Sequence, residues 1–274
     1  MSARRATVGA SKAAPGTRAA AATGPQALEV LLTPFELPGC PVKGRSLVVI
    51  DVLRLATTVC YALHHGAAQV IPVGSIEDAT RLAASLDREV TLLCGEREGD
   101  RIEGFHLGNS PREYASAVVG GKTLVITTSN GTQAVEAGEG AREIALAGLV
   151  NVGATARWIR EREGTVLIVC SGSGGRFALE DAVAAGLLVG QVRRLAPSSL
   201  ALGDGAEAAV ALAAGHRRDL PAMLAACEDG RVLAARGYAD DLPVCAGLDR
   251  LDIVPLVREG RISGLDSRRS EGLP

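Results

Sequence analysis

Short apolar runs, each stopping at a polar residue and each followed by a helix-compatible stretch, constrain this chain to one fold class. Leu47-Val48-Val49-Ile50 halts at Asp51, and Gln69–Val73, Val90–Cys94, Thr123–Thr127, Glu143–Ala147 and Thr165–Cys170 repeat the type. Continuous rather than alternating hydrophobicity is what a strand covered on both faces requires. Helix candidates lie between the runs: Leu55–His65, Ser75–Asp87, Arg112–Val119, Thr132–Ala137, Val152–Glu163 and the long Ala178–Leu195. Ser75 stands at an N-cap with Asp78 in the capping-box position. Strands spaced by helices predict βαβ units with right-handed crossovers. The predicted class is therefore α/β, a mostly parallel sheet with helices on both faces and the site at the carboxyl ends of the strands. Past Pro197 the pattern turns more helical, at Ala206–Ala214 and Pro221–Ala226, before a last strand-like run at Asp252–Leu256.

Charge and composition narrow the function. The 274 residues carry 29 Lys+Arg against 31 Asp+Glu, a net charge of -2 that offers no basic footprint for nucleic acid. Hydrophobic residues reach 47%, which excludes a mainly disordered chain, while 3% aromatics leave too few rings for a base-stacking surface. The apolar runs break well short of the ~20 residues that cross a membrane. Neither nucleic acid nor membrane is expected as a partner; self-association into a homo-oligomer stays open. Cys40, Cys60, Cys94, Cys170, Cys227 and Cys245 form no C-x-x-C pair, which fits a reducing, cytoplasmic compartment better than a disulfide framework. Residues 1–26 lack any acid and any apolar period, and read as a disordered extension. Ala19–Ala22 is too short for the apolar core of a secretory signal. Residues 27–262 read as one region, with a division into two lobes left open, and 263–274 as a solvated tail.

The polar residues that follow the strands are the ones to inspect. Asp51 ends an apolar run, and burying an unpaired carboxylate is expensive. A divalent cation, an ion pair with Arg54, or a helix N-cap would each satisfy it. Thr127-Thr128-Ser129-Asn130-Gly131-Thr132 offers hydroxyls and an amide suited to phosphate oxygens, or equally an N-cap and an Asn-Gly turn. Ser171-Gly172-Ser173-Gly174-Gly175-Arg176-Phe177 joins a buried strand to a long helix. Its glycines let backbone N–H groups approach an anion, with Arg176 as a bidentate contact; the alternative is an ordinary Gly-rich turn. Glu180 and Asp181 follow it. Glu96, Arg97, Glu103, His106 and Asn109 crowd a loop that ends in Ser110-Pro111, a helix start. His64 and His65 sit where a helix C-cap is expected, and His216 lies in an Arg-rich turn. The chain lacks a Walker lysine, a G-x-S-x-G elbow and a D-x-D-x-T nucleophile stretch.

Taken in order, VVIDVLRLATTVCYAL, GEREGDRIEGFHLGNSPREY, TTSNGT, VCSGSGGRFALEDAVAAG and VCAGLDRLDIVPLV resemble the ComB family, the 2-phosphosulfolactate phosphatases, from Leu47 to Val257. The resemblance implies an α/β, magnesium-dependent enzyme that hydrolyses 2-phospho-3-sulfolactate to sulfolactate and phosphate, a step toward coenzyme M. The family's motif residues fall on Asp51, Arg54, Gly95, Glu96, Arg97, Gly108 to Pro111, Asn130, Gly131, Thr132, Glu180 and Asp181. Three departures stand out: Leu55-Ala56 replaces Ala-Thr, His106 replaces an aspartate, and Ser129 replaces a threonine.

The expected site is a metal-assisted phosphomonoesterase for a small anionic ester, with another small phospho-acid or a non-catalytic anion-binding role as alternatives. Mg²⁺ is expected on Asp51 with one or more of Glu96, Glu180 and Asp181, since hard oxygen ligands suit it. Asp51, Arg54, Glu96 and Asp181 are the expected catalytic residues, with Glu96 or Asp181 orienting the attacking water. Arg97, Asn109, Ser110, Thr128, Asn130, Gly131, Thr132, Ser171, Gly172, Gly174 and Arg176 are expected to bind substrate. Cys60 as a covalent nucleophile lacks an evident base.

Overall fold

The computed structural model describes residues 24–196 and 199–266. The strands in chain order are β1 (Pro25–Leu31), β2 (Ser46–Ile50), β3 (Gln69–Pro72), β4 (Thr91–Arg97), β5 (Asp100–Arg101) and β6 (Thr123–Thr127). They continue as β7 (Glu143–Ala147), β8 (Gly164–Cys170), β9 (Ala201–Leu202), β10 (Ile253–Arg258) and β11 (Arg261–Asp266). Among the described residues they make one sheet in the order β5-β4-β6-β3-β11-β10-β7-β2-β8-β1-β9. Two parallel blocks are recognisable, β4-β6-β3 and β7-β2-β8-β1-β9. The β10–β11 hairpin joins them, running antiparallel to both β7 and β3. The strands at the two edges, β5 and β9, are only two residues each, which leaves little free edge for pairing with another chain.

The helices are α1 (Leu55–His64), α2 (Ile76–Ser85), α3 (Ser116–Val119), α4 (Gly131–Ala137), α5 (Val152–Arg160) and α6 (Leu179–Leu195). After them come α7 (Asp204–His216), α8 (Leu220–Ala226), α9 (Glu228–Ala235) and α10 (Asp241–Cys245). The pleat sorts β2 between two cores. Val48 and Ile50 pack with Ala156, Ile159, Val183 and Leu188 of α5 and α6, whereas Leu47 and Val49 pack with Val59, Ala62 and Val135 of α1 and α4. Helices thus cover both faces, as the continuous apolar runs require. On one face α6 and α7 touch backbone to backbone: a Cβ on Gly186 would lie 1.9 Å from the Ala209 carbonyl oxygen. No helix among the described residues is long and apolar enough to cross a membrane.

The structure corrects several sequence-based expectations. Pro25 and Gln26, expected at the end of an extension, open strand β1, and Ser263–Asp266 belongs to β11 rather than to a tail. The hairpin turn behind this second correction places Glu259 and Gly260 at φ 50 and 72°, a turn whose strand-specifying Gly is legible in Arg258-Glu259-Gly260-Arg261. The expected 112–119 helix is interrupted at Tyr114, whose buried hydroxyl donates to the Gly108 carbonyl at 2.7 Å. Ser75 does cap α2, accepting from the Asp78 N–H at 3.0 Å. The expected disorder of residues 1–23 and the solvated character of 267–274 lie outside the described residues.

Candidate active site

Register places the chemistry. Ile50 of β2 lies opposite Ala147 of β7 and Cys170 of β8, so Asp51 and Ser171 begin neighbouring loops at one level. Cys94 and Gly95 of β4 pair with Ile126 and Thr127 of β6, which sets Glu96 beside Thr128 and Ser129. Asp51 and Asp181 are 4% and 2% exposed and Glu180 is 2% exposed. Asp51 Oδ1 accepts the Leu55 N–H at 2.9 Å and so opens α1. Asp181, in the first turn of α6, accepts the N–H groups of Val52 and Gly172 at 2.9 and 3.0 Å and the Ser171 hydroxyl at 3.1 Å. Burial, then the nearness of Asp181, pushes the Asp51 carboxyl up to about 8; burial, then Glu180, does the same to Asp181, also to about 8. Glu180 rises to about 7 through burial, with Asp229 and Asp51 adding to it.

Arg54 does not neutralise this cluster. Its guanidinium turns to Asp241, a residue the sequence reading missed, with Nη1 to Oδ2 at 2.7 Å. No ion pair of the described residues involves Asp51, Glu180 or Asp181. Gly131 opens α4 against Asp51: a Cβ there would stand 2.2 Å from Asp51 Oδ2. Glycine is therefore the residue that lets α4 approach the carboxylate.

In front of the acids lies a cleft of about 420 Å³, lined among others by Arg54, Glu96, Asn109, Ser129, Asn130 and Gly174, with Asp229, Leu233 and Arg236 of α9 and its C-cap on the facing wall. Asp51, Glu180 and Asp181 sit behind that wall rather than on it, and are sensed through it by Glu96 and Asp229. The three arginines of the lining are all paired: Arg54 with Asp241, Arg176 with Glu228 at 2.8 Å, and Arg236 with Glu98 and Asp100. Each guanidinium of the cleft lining thus already has a carboxylate counter-charge. Asn109 is 4% exposed, and its Oδ1 finds no protein hydrogen-bond partner. As an acceptor, that oxygen suits a cation, a water or a hydroxyl rather than a phosphate oxygen.

Other expected residues serve the scaffold. Both oxygens of Glu96 are engaged, Oε1 by the Ser129 N–H at 2.7 Å and Oε2 by the Gly99 N–H at 2.7 Å and the Ser129 hydroxyl at 3.1 Å. Thr128 and Thr132 cap the first turn of α4 through each other, and Thr132 Oγ1 donates to the Thr128 carbonyl at 3.1 Å. Arg97 holds Thr127 Oγ1 at 2.9 Å and lines a separate depression with Gly74, Ser75 and Gln133. In the glycine-rich loop the N–H groups of Gly172 and Gly174 are taken by Asp181 and by Asn130 Oδ1, the latter at 3.0 Å. Ser173 and Arg176 close it with reciprocal backbone bonds of 3.0 Å. The loop is thus a braced turn and not an open anion cradle. Ser110 donates to Asp241 Oδ1 at 2.6 Å.

Of the departures from the family pattern, Ser129 lines the cleft, whereas His106 and Leu55-Ala56 fall away from it. His106 accepts the Leu93 N–H at 2.9 Å and borders another depression, with Thr80 and Arg88. Ala56 is fully buried in the core beside Leu55. Cys60 is a buried residue of α1, and burial raises its thiol far above the ordinary value, which leaves it no thiolate character. All six cysteines are unbridged. Asp229 and Asp241 escaped sequence reading because each opens a short helix, α9 or α10, where an acid is ordinary.

The residues fit a hard cation, but with few protein ligands. Buried carboxylates without a counter-charge supply the right donors. Among the described residues no three Asp, Glu, His or Cys side chains form a ready-made cage, so Asp51, Glu96, Glu180 and Asp181 do not converge on one point. Mg²⁺ commonly binds through one or two carboxylates and keeps its remaining waters.

The family model for 2-phosphosulpholactate phosphatase matches residues 31–260. Proteins called "Probable 2-phosphosulfolactate phosphatase" are similar along most of their length. That of Caldanaerobacter subterraneus is 37% identical, covering 80% of this chain and 90% of its own. That of Thermotoga maritima is 38% identical over 81% and 93%, and that of Parasynechococcus marenigrum 40% identical over 81% and 92%. With a match that runs from β2 through β10 and includes the cleft and the acids behind it, the chain belongs to the 2-phosphosulpholactate phosphatase family.

Proposed function

We propose that this protein is a magnesium-dependent phosphomonoester hydrolase that converts 2-phosphosulfolactate and water to sulfolactate and phosphate in the cytoplasm, within sulfolactate and coenzyme M metabolism. The names carried by its relatives support the substrate. The observation that supports the metal is the charge balance of the site: buried acids without a counter-charge behind a cleft whose arginines are all paired. A phosphate dianion entering such a cleft meets net repulsion unless a cation accompanies it.

Asp51 and Asp181 would hold Mg²⁺, which when bound neutralises charge on the phosphoryl oxygens and the leaving alkoxide. The protein's own groups do the rest. Arg54 and Asn109 bind and orient the ester from the cleft wall, where both stand. Glu96 holds the Gly99 and Ser129 loops in place and, standing on the cleft wall with a lone pair of Oε1 left over, orients the attacking water.

Phosphate release from a panel of small phosphate esters, 2-phosphosulfolactate included, tests the reading with Mg²⁺ and with excess chelator. Metal-dependent turnover selective for the sulfonated ester is expected. Selective turnover of another phospho-acid keeps the mechanism and replaces the substrate. A folded protein with no turnover on any ester overturns the enzymatic reading in favour of anion binding.

A further inference from the structure

We propose that Asp241 is a positioning residue that aims the Arg54 guanidinium at the anionic group of the ligand; the inference rests on the phosphate-ester reading of the cleft. Arg54 enters from the loop between β2 and α1 and is 3% exposed, yet it lines the cleft. Three contacts hold it. Asp241 Oδ2 takes Nη1 at 2.7 Å, the Gly99 carbonyl takes Nη2 at 2.7 Å, and the Tyr238 ring lies under the guanidinium carbon at 4.5 Å. Asp241 in turn is 1% exposed and is fixed by the Ser110 hydroxyl at 2.6 Å.

This arrangement does more than stitch segments together. A guanidinium carries more N–H groups than these contacts use, and a planar ion gripped on one edge and one face can present only its remaining edge. Arg54 is on the cleft wall, and the N–H groups it has left for a ligand are those of that edge. Asp241 and Tyr238 both come from the stretch that follows α9, so the same segment that walls the cleft also sets the angle of its arginine. Asp241 never reaches the cleft itself, being absent from its lining, and acts only through Arg54.

A double-substitution cycle on the full chain tests this, using Asp241→Asn, Arg54→Gln and the pair, with kcat and KM for the ester and Kd for inorganic phosphate. Asp241→Asn is expected to lower kcat/KM and weaken phosphate binding by about tenfold or more, as misplacing a binding group does. In the Arg54→Gln background the same change is expected to have less than about a twofold effect, since there is no guanidinium left to aim. Multiplicative effects of the two substitutions, or a wild-type-like Asp241→Asn, overturn the inference. If Asp241→Asn does not fold, Ser110→Ala carries the cycle, with a loss of about two- to fivefold expected only where Arg54 is present. A wild-type protein that binds phosphate without hydrolysing any ester defeats the enzymatic reading alone, and the cycle is then read on Kd. A wild-type protein that does neither overturns both.

Discussion

Around one cleft the protein buries charge in two contrasting ways. On one side Asp51, Asp181 and Glu180 are enclosed together without a basic partner, and their carboxyls are driven up toward neutrality. On the other, Arg54 and Asp241 are buried just as deeply but face each other at 2.7 Å, with Gly99, Tyr238 and Ser110 completing the shell. The paired charges are self-sufficient: the carboxylate, the guanidinium and their hydrogen-bond partners come from the chain. The unpaired acids are not, and a fold optimised only for stability would carry apolar or neutral residues there. The difference separates a site that waits for a cation from one that holds a side chain in aim.

Breaking the unpaired end should affect chemistry first. Asp51→Asn is expected to reduce kcat by about a thousandfold while the melting temperature holds or rises, because a poorly tolerated buried charge is removed. Phosphate release and calorimetry on the same sample check both halves, and a large loss of stability would contradict the contrast. The paired end should behave in the opposite sense. Asp241→Ala leaves Arg54 buried without its counter-charge and is expected to destabilise the fold by about 3–5 kcal/mol in denaturant titrations.

Acidity separates the two ends next. Asp51 and Asp181 titrate near 8 in the folded chain and Glu180 near 7, so the folded state binds more protons than the unfolded state across the mildly acidic and neutral range. Stability therefore falls as pH rises through that range. In chelator the melting temperature is expected to drop by about 5 °C between about pH 5 and pH 8.5. Adding Mg²⁺ should flatten the profile, because a cation favours the ionised acids; a flat profile in chelator would refute the unpaired state of the acids. Gly131→Ala introduces a Cβ within 2.2 Å of Asp51 Oδ2 and is expected to lower kcat/KM by about tenfold, with steady-state kinetics as the check. The smallest effect belongs to the rim: Arg176 and Glu228 are 68% and 61% exposed, and Arg176→Ala should change unfolding free energy by less than about 0.5 kcal/mol.

Much of the fold is legible in the sequence because strands buried on both faces must be apolar throughout. Thr123–Thr127 and Glu143–Ala147 are read to the residue, and Leu47–Ile50 lacks only Ser46. β1 and β11 are not legible in the same way. Pro25 opens β1 in an otherwise mixed stretch, and Arg261-Ile262-Ser263-Gly264-Leu265-Asp266 shows neither a continuous apolar run nor clean alternation. Its place in the sheet comes from the hairpin with β10. Within the site, Asp51 and Asp181 are legible from their positions after an apolar run and at a helix start. Thr128, Thr132, Gly172 and Arg97 show the limit of such reading, since hydroxyls and glycines that suit a phosphate suit a helix cap or a braced turn equally well.

The sequence by itself determined the alternation of strand and helix, the covering of the sheet on both faces and the loops in which polar residues collect. These follow from local hydrophobic pattern, which each segment carries within itself. Tertiary structure decided which charges meet. Arg54 and Asp241 are paired across a sequence separation of 187 residues, and Asp51 is left beside Asp181 rather than beside the arginine three positions away. Pairing of buried charges is settled by geometry among distant segments, because at such close range orientation and exclusion of water outweigh proximity along the chain.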